Sequence, residues 1–290
     1  MIYTVTLNPA IDYVMRPLTL DMGFTNRSSG EQLFCGGNGI NVSTLLNELK
    51  VANTAYGIVA GFTGDYLVKT LQQNGVSANF VQLDEGFTRI NIKLNGIVMT
   101  MVNGMGPDIP QEKVDELLER IDYVGEGDTL VLTGSIPKTL PENMYDVIMK
   151  RLAGRGTRFV VDAPGNLLLE SLPAHPFLIK PNNHEVGRIF DVHPETPEEC
   201  IPFAKELHER GAQNVIVSCG GHGSSMTRTK RCPSFPRQRF SWSTPQVPVT
   251  PWLPASSPRP RRVRTTRRPC ALPPPVALPP RQATASQSVP

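Results

Sequence analysis

Two short clusters near the start of the chain combine residue types that chemistry can use. Thr6-Leu7-Asn8-Pro9-Ala10-Ile11-Asp12 leaves a carboxylate just past the end of an apolar run, where an Asp either serves a ligand or closes a turn. Gly36-Gly37-Asn38-Gly39-Ile40-Asn41 runs straight into a helical pattern. Glycines there let the backbone approach a ligand closely and leave the first N–H groups of a helix pointing at an anion. The plainer reading is a flexible turn before a helix. A third cluster, Lys180-Pro181-Asn182-Asn183-His184-Glu185, spaces an amide and a carboxylate as a helix start does, with Asn182 as cap and Glu185 completing a capping-box-like pair.

Such groups need a scaffold, and the pattern of the chain supplies one. Short apolar, β-branched runs at 2–7, 56–60, 129–133, 158–162, 177–180 and 214–218 suit strands buried on both faces. Between them lie amphipathic stretches: Val42, Leu45, Leu46 and Leu49 fall at i, i+3, i+4 and i+7, and Val114, Leu117, Leu118 and Ile121 repeat the spacing. The alternation predicts an α/β fold, a doubly wound, mainly parallel sheet flanked by helices. Residues 12–35 and 86–104 break the pattern. They read as strands and turns, with the alternating Arg89-Ile90-Asn91-Ile92-Lys93-Leu94, and are expected to pair as a small β lid, a dimer surface, or both. Ligands of open α/β sheets bind beyond the carboxyl ends of the strands, so a lid there closes over the site.

The 290 residues carry a net charge of +3, but this total conceals a break. All 26 acids lie at or before Glu209, so residues 1–225 carry −9, whereas residues 226–290 hold 12 basic residues and no acid. Fifteen of the 28 prolines sit in the last 60 residues, a density that forbids regular helix or central strand. The expected organisation is a folded domain over 1–225 and a disordered Pro/Arg-rich tail over 226–290. Cysteines at 35, 200, 219, 232 and 270 form no close pair in sequence and no metal-ligand spacing, which argues against a disulfide framework or a zinc site. The start, MIYTVTLNPA, lacks a basic segment and a long apolar run, and no later stretch is apolar enough to span a membrane. A cytoplasmic protein with no membrane partner is expected.

Taken together the clusters resemble the ribokinase-like (PfkB) carbohydrate kinases, and within them the branch containing 1-phosphofructokinase and tagatose-6-phosphate kinase. The matching segments run in order: TLNPAID, GGNGINV, TGD at 63–65, TRIN at 88–91, NGMGP at 103–107, LTGSIP at 132–137, KPNNHE at 180–185 and VSCGGHG at 217–223. The resemblance implies that Asp12 accepts hydrogen bonds from sugar hydroxyls, that Gly36, Gly37, Asn38 and Asn41 line the sugar pocket, and that Arg89 and Ser135 hold the phosphate already on the substrate. Without the family, Arg89 reads as a solvated charge that blunts a strand edge. Lys180, Asn182, Glu185, Gly221 and Gly223 are implied to serve ATP and Mg2+, with Glu185 acting on the metal through water; magnesium takes few protein oxygens. The family's glycine loop usually carries Lys where this chain has Asn38. An amide donates to phosphate but brings no charge.

One segment of the family pattern is missing. These kinases carry a later Gly-Ala-Gly-Asp, whose amides stabilise the transferred phosphoryl group and whose Asp takes the proton of the attacking hydroxyl. No such sequence occurs here, so the chain has no catalytic base of that kind. The genetic code offers a reason. If the tail is read one nucleotide out of frame, each original codon is the last base of one codon plus the first two of the next. Residues 247–255 read Val-Pro-Val-Thr-Pro-Trp-Leu-Pro-Ala. With permitted third bases, and a Gln246 codon ending in G, the shifted reading is Gly-Ala-Gly-Asp-Ser-Met-Val-Ala-Gly. The residues fix two bases of three at every step. Met226 ends in G and Thr227 begins AC, which restores an Asp with no choice involved. The residues thus predict a one-base frameshift near codon 225.

The function implied is ATP-dependent phosphorylation of a sugar phosphate, fructose 1-phosphate to fructose 1,6-bisphosphate, in a chain whose own catalysis is impaired. The alternatives are a tagatose-6-phosphate kinase and a non-catalytic sugar-phosphate-binding protein. The arginines at 259, 261, 262, 264, 267 and 268 would suit a basic arm, but an out-of-frame tail implies no specific nucleic-acid partner. The implied partners are small molecules and, through the lid sheet, a second copy.

Overall fold

The structure, a computed structural model, describes residues 1–17, 19–96 and 99–228. In chain order the elements are β1 (Ile2–Thr6), β2 (Ala10–Pro17), β3 (Ser28–Gly36), α1 (Asn38–Glu48), β4 (Asn53–Ala60), α2 (Gly61–Gln73), β5 (Ser77–Leu83), β6 (Arg89–Asn95), β7 (Met99–Asn103), α3 (Gln111–Ile121), β8 (Thr129–Thr133), α4 (Met144–Arg151), β9 (Arg158–Asp162), α5 (Gly165–Ser171), β10 (Leu178–Ile179), α6 (Asn183–Phe190), α7 (Pro197–Glu209), β11 (Asn214–Ser218) and β12 (Ser224–Arg228). The expected α/β fold is present. Eight strands form one sheet in the order β12-β11-β10-β9-β8-β1-β4-β5, parallel throughout except for β12. β5 and β12 had no counterpart among the strands read from sequence, and β12 carries residues 226–228 into the sheet. The tail expected to be disordered lies, from residue 229 on, outside the described residues, and so does the basic arm.

From β1 the chain order runs outward both ways, through β4 and β5 on one side and β8 to β11 on the other. The reversal beside β1 is the topological switch point, where crossovers diverge and leave a crevice beyond the strand ends.

Side chains of the sheet alternate between two cores. On one face Val5, Ile58, Leu132, Val161 and Val217 pack with residues of α3 to α7. The expected stripe Val114, Leu117, Leu118 and Ile121 is fully buried there. On the other face Ala55, Val59 and Phe80 join Ile40 of α1 and Leu67 and Leu71 of α2.

α1 differs from expectation. Its buried residues are Gly39, Ile40 and Ser43, while Leu45 and Leu49 are 55% and 64% exposed. The cause is close approach to β1. A Cβ on Gly39 would stand 2.4 Å from Thr6 Oγ1, and Ser43 Oγ lies 2.8 Å from Thr4 Oγ1 in a buried hydrogen bond. Small residues face the sheet, and Leu45 and Leu49 turn outward.

Beyond β8 the same face continues through Val131, Val160 and Leu178, which are register partners, to Ile216 and its partner Met226. From Val160 onward these side chains are only half-buried, and among the described residues no helix packs over them. A doubly wound sheet is ordinarily covered on both faces.

The lid is a separate four-stranded sheet in the order β3-β2-β6-β7, from the two stretches that broke the sequence pattern. β2 and β6 are parallel, and the outer pairs are antiparallel. β7 is exposed along its length, and Leu33, Ile92, Met99, Met101 and Val102 present apolar surface.

Candidate active site

The end of β1, the end of β8 and the start of α1 meet at the switch point. A Cβ on Gly134 would stand 3.7 Å from Asn38 Cβ, so Ser135, just after β8, lies beside the α1 N-terminus. Gly37 adopts φ +121° and turns the chain from β3 into the helix. Asn38 and Asn41 are both exposed on α1.

Asp12 stands over this point from the lid. Positions 12 and 91 pair directly between β2 and β6. Asn91 Nδ2 donates to Asp12 Oδ1 at 2.8 Å, and Lys93 Nζ donates to Asp12 Oδ2 at 2.6 Å. The Asp12 side chain is 15% exposed and Lys93 28%, so the ion pair is partly shielded from solvent. Gly36 makes room for it, since a Cβ there would meet the carboxylate at 2.8 Å.

Arg89 is half-buried and turned inward. Its Nε and Nη2 donate to Asn8 O at 3.2 and 2.9 Å, and its Nη1 donates to Gly104 O at 3.3 Å. These bonds tie β6 to the end of β1 and the segment after β7. Burial draws its pKa below the usual arginine value, and the charge of Asp12 partly opposes that. Two of the buried side-chain oxygens without a hydrogen-bond partner, Thr6 Oγ1 and Asn91 Oδ1, also belong to this region. Unsatisfied buried groups are uncommon.

The second group of expected residues sits along the carboxyl ends of β9, β10 and β11. Asp162 Oδ2 accepts from Thr133 Oγ1 at 3.1 Å, and its Oδ1 lies 3.1 Å from Lys180 Nζ. Asn182 and Glu185 form a capping box: Glu185 N donates to Asn182 Oδ1 at 2.9 Å, and Asn182 N donates to Glu185 Oε2 at 2.7 Å. Gly221 lies in an exposed 3-10 turn at Gly220–His222 and Gly223 follows at φ +100°.

Among the described residues no cluster of three or more His, Cys, Asp or Glu is placed to ligate a metal directly. Asp162, Asn182 and Glu185 offer only oxygen, the donor set that suits Mg2+ held through water and phosphate oxygens. A cavity of about 520 Å3 lies at the opposite ends of the strands, beside Arg158 and Phe177.

Three site residues escaped the sequence reading. Asn91 and Lys93 share the alternating segment with Arg89, which puts all three on one face of the lid strand. Asp162 closes the apolar run of β9, as Asp12 follows that of β1. Cys200 and Cys219, distant in sequence, have their buried Sγ atoms 3.7 Å apart and unbridged.

A switch-point crevice roofed by a β lid, with oxygen donors along the neighbouring strand ends, is the architecture of a small-molecule α/β enzyme. The family model of the pfkB family carbohydrate kinases matches residues 5–240, and the chain belongs to that family, whose kinases transfer phosphoryl groups from ATP. It is similar to a 1-phosphofructokinase of Bacillus subtilis, 43% identical over 224 residues that cover 77% of this chain and 74% of the relative. It is also similar to a D-tagatose-1-phosphate kinase of Bacillus licheniformis, 34% identical over 225 residues, with the same coverage. Among solved structures, phosphofructokinase-2 from Escherichia coli in complex with fructose-6-phosphate superposes with a TM-score of 0.75 at 25% identity, covering 81% of this chain and 78% of that one.

Proposed function

We propose that this chain derives from an ATP-dependent kinase that converts fructose 1-phosphate to fructose 1,6-bisphosphate, and that the 290-residue chain is itself catalytically impaired. The observation that carries the substrate reading is the Asp12–Asn91–Lys93 cluster above the switch point, an acceptor for sugar hydroxyls set beside a cation. Gly36, Gly37, Asn38, Asn41, Arg89 and Ser135 complete that pocket. The relatives' names support a phosphate on C1 of a ketose: one is a 1-phosphofructokinase, the other a D-tagatose-1-phosphate kinase. Tagatose 1-phosphate therefore replaces tagatose 6-phosphate as the alternative substrate.

ATP and Mg2+ belong on the other side of the switch point. Lys180 faces the nucleotide phosphates, Asn182 and Glu185 hold the metal through water, and Gly221 and Gly223 bring backbone N–H groups to the nucleotide. Impairment follows from the absent Gly-Ala-Gly-Asp segment, which leaves no base for the attacking hydroxyl. The half-buried face over β9 to β12 supports incompleteness too, because a doubly wound sheet is ordinarily covered on both faces, and the match covers 74% of the B. subtilis relative. Residues 226–290 are read as an out-of-frame tail on the domain formed by 1–225. The coding DNA of codons 220–256 tests this: an alternative frame that does not continue the kinase refutes it.

The complete pocket beside a missing base favours one second reading, a protein that binds sugar phosphate without turning it over. Calorimetry with fructose 1-phosphate, tagatose 1-phosphate and ATP separates the substrates. The exposed apolar lid strand β7 supports a homodimer through the lid, which light scattering on Met101→Glu tests. The free thiols of Cys35, Cys200 and Cys219 are consistent with a cytoplasmic home.

A further inference from the structure

We infer that Lys93 is the residue that makes this pocket select an anionic sugar over a neutral one. The inference rests on the sugar-phosphate reading above. Of the pocket residues named above, Asp12, Arg89 and Lys93 are charged, while Asn38 and Ser135 are neutral. Arg89 gives three of its five N–H donors to the backbone carbonyls of Asn8 and Gly104, and its charge is balanced by that of Asp12. Lys93 is the cation of the three that holds no backbone carbonyl in the pocket; its contact is the Asp12 carboxylate at 2.6 Å.

Without Lys93, Asp12 and Arg89 cancel and an incoming phosphate dianion gains nothing from the pocket's net charge. With it the net charge is +1. A partly shielded charge acts at a higher effective strength than one in open water. The ammonium is also adaptable. It carries three donors on a flexible stem, so it can keep one hydrogen bond to Asp12 while a second donor reaches a phosphate oxygen. Asp12 then remains oriented for the sugar hydroxyls, and one side chain serves both ends of the ligand.

Calorimetry on the full 290-residue chain, with fructose 1-phosphate and with fructose as probes, tests this. Lys93→Gln is expected to weaken fructose 1-phosphate binding at least tenfold and to change fructose binding less than threefold. Lys93→Arg, which keeps the charge, is expected to stay within about threefold of the unmodified chain for both, and shows that loss in Lys93→Gln is not a folding defect. Equal affinity for fructose 1-phosphate in Lys93→Gln and the unmodified chain overturns the inference. So does an equal loss for both probes, which assigns Lys93 only the holding of Asp12. An unmodified chain that binds neither probe refutes the sugar-phosphate reading itself, and this inference with it.

Discussion

Asn91 Nδ2 lies 2.8 Å from Asp12 Oδ1, a bond between directly paired positions of two parallel lid strands. With Lys93 on the other oxygen, the carboxylate is fixed on both sides before any sugar arrives. A preorganised acceptor loses little on binding, so its removal is costly. Asp12→Ala is expected to weaken fructose 1-phosphate binding roughly tenfold to a hundredfold, the worth of about 1.5–3 kcal/mol for hydrogen bonds to a charged group. Calorimetry reads it, and Asp12→Ala binding as the unmodified chain does contradicts the role.

The approach of α1 to β1 gives a stability prediction. At Gly39 an added Cβ meets Thr6 Oγ1 at 2.4 Å and the carbonyl of Val5 at 3.1 Å. Gly39→Ala must push the helix off the strand, at about 1–3 kcal/mol for overpacking. A urea midpoint that does not fall shows that the helix can slide without cost.

Asp122 joins the end of α3 to α4: Arg151 Nε donates to its Oδ1 at 2.9 Å, and Arg155 stands 3.3 Å away. The Arg151 guanidinium holds the Asp122 carboxyl below the usual carboxylate range. A depressed folded-state pKa stabilises the fold above the unfolded value, near 3.9, and this contribution disappears as pH falls through the folded value. The pair is about a third exposed, so Asp122→Asn is expected to cost only about 0.2–1 kcal/mol at pH 7. The difference between variant and unmodified chain should close below about pH 4, as followed by urea titration, and a constant gap contradicts the assignment.

Burial pushes the Cys35 thiol up to about 11 and, aided by Cys200, the Cys219 thiol up to about 12. The thiolate is the reactive form. Peptide mapping after iodoacetamide at pH 8 should find these two thiols unmodified in the folded chain and alkylated in urea; rapid native labelling of Cys219 would contradict its burial.

Much of this was legible in the sequence. The strands at 129–133, 158–162 and 214–218 and the α3 stripe stand where apolar runs and 3.6-residue spacing put them, because these strands carry apolar residues on both faces, even where only one face is fully buried, and α3 buries a single apolar stripe. The α1 stripe misled, since a helix lying close on a strand turns glycine and serine inward and no hydrophobic pattern records that. β5, at the sheet edge, mixes the exposed polar residues Ser77 and Gln82 with its apolar ones and lacks such a run. In the site, Asp12 and Gly36 were readable because the first follows the apolar run of β1 and the second ends β3 at a glycine cluster. Asn91 and Lys93 were not, because whether an exposed-looking lid residue folds over a carboxylate depends on a pairing between strands about 80 residues apart.

The central claim is that a sugar-phosphate kinase has lost its chemistry with the segment after residue 225. Turnover of fructose 1-phosphate with ATP and Mg2+, measured on the 290-residue chain and on one expressed from the same gene with a single base inserted near codon 225, tests it most directly. The expected result is no measurable fructose 1,6-bisphosphate from the first and sustained production from the second. Sustained production by the 290-residue chain, or none by the chain with the restored frame, contradicts it.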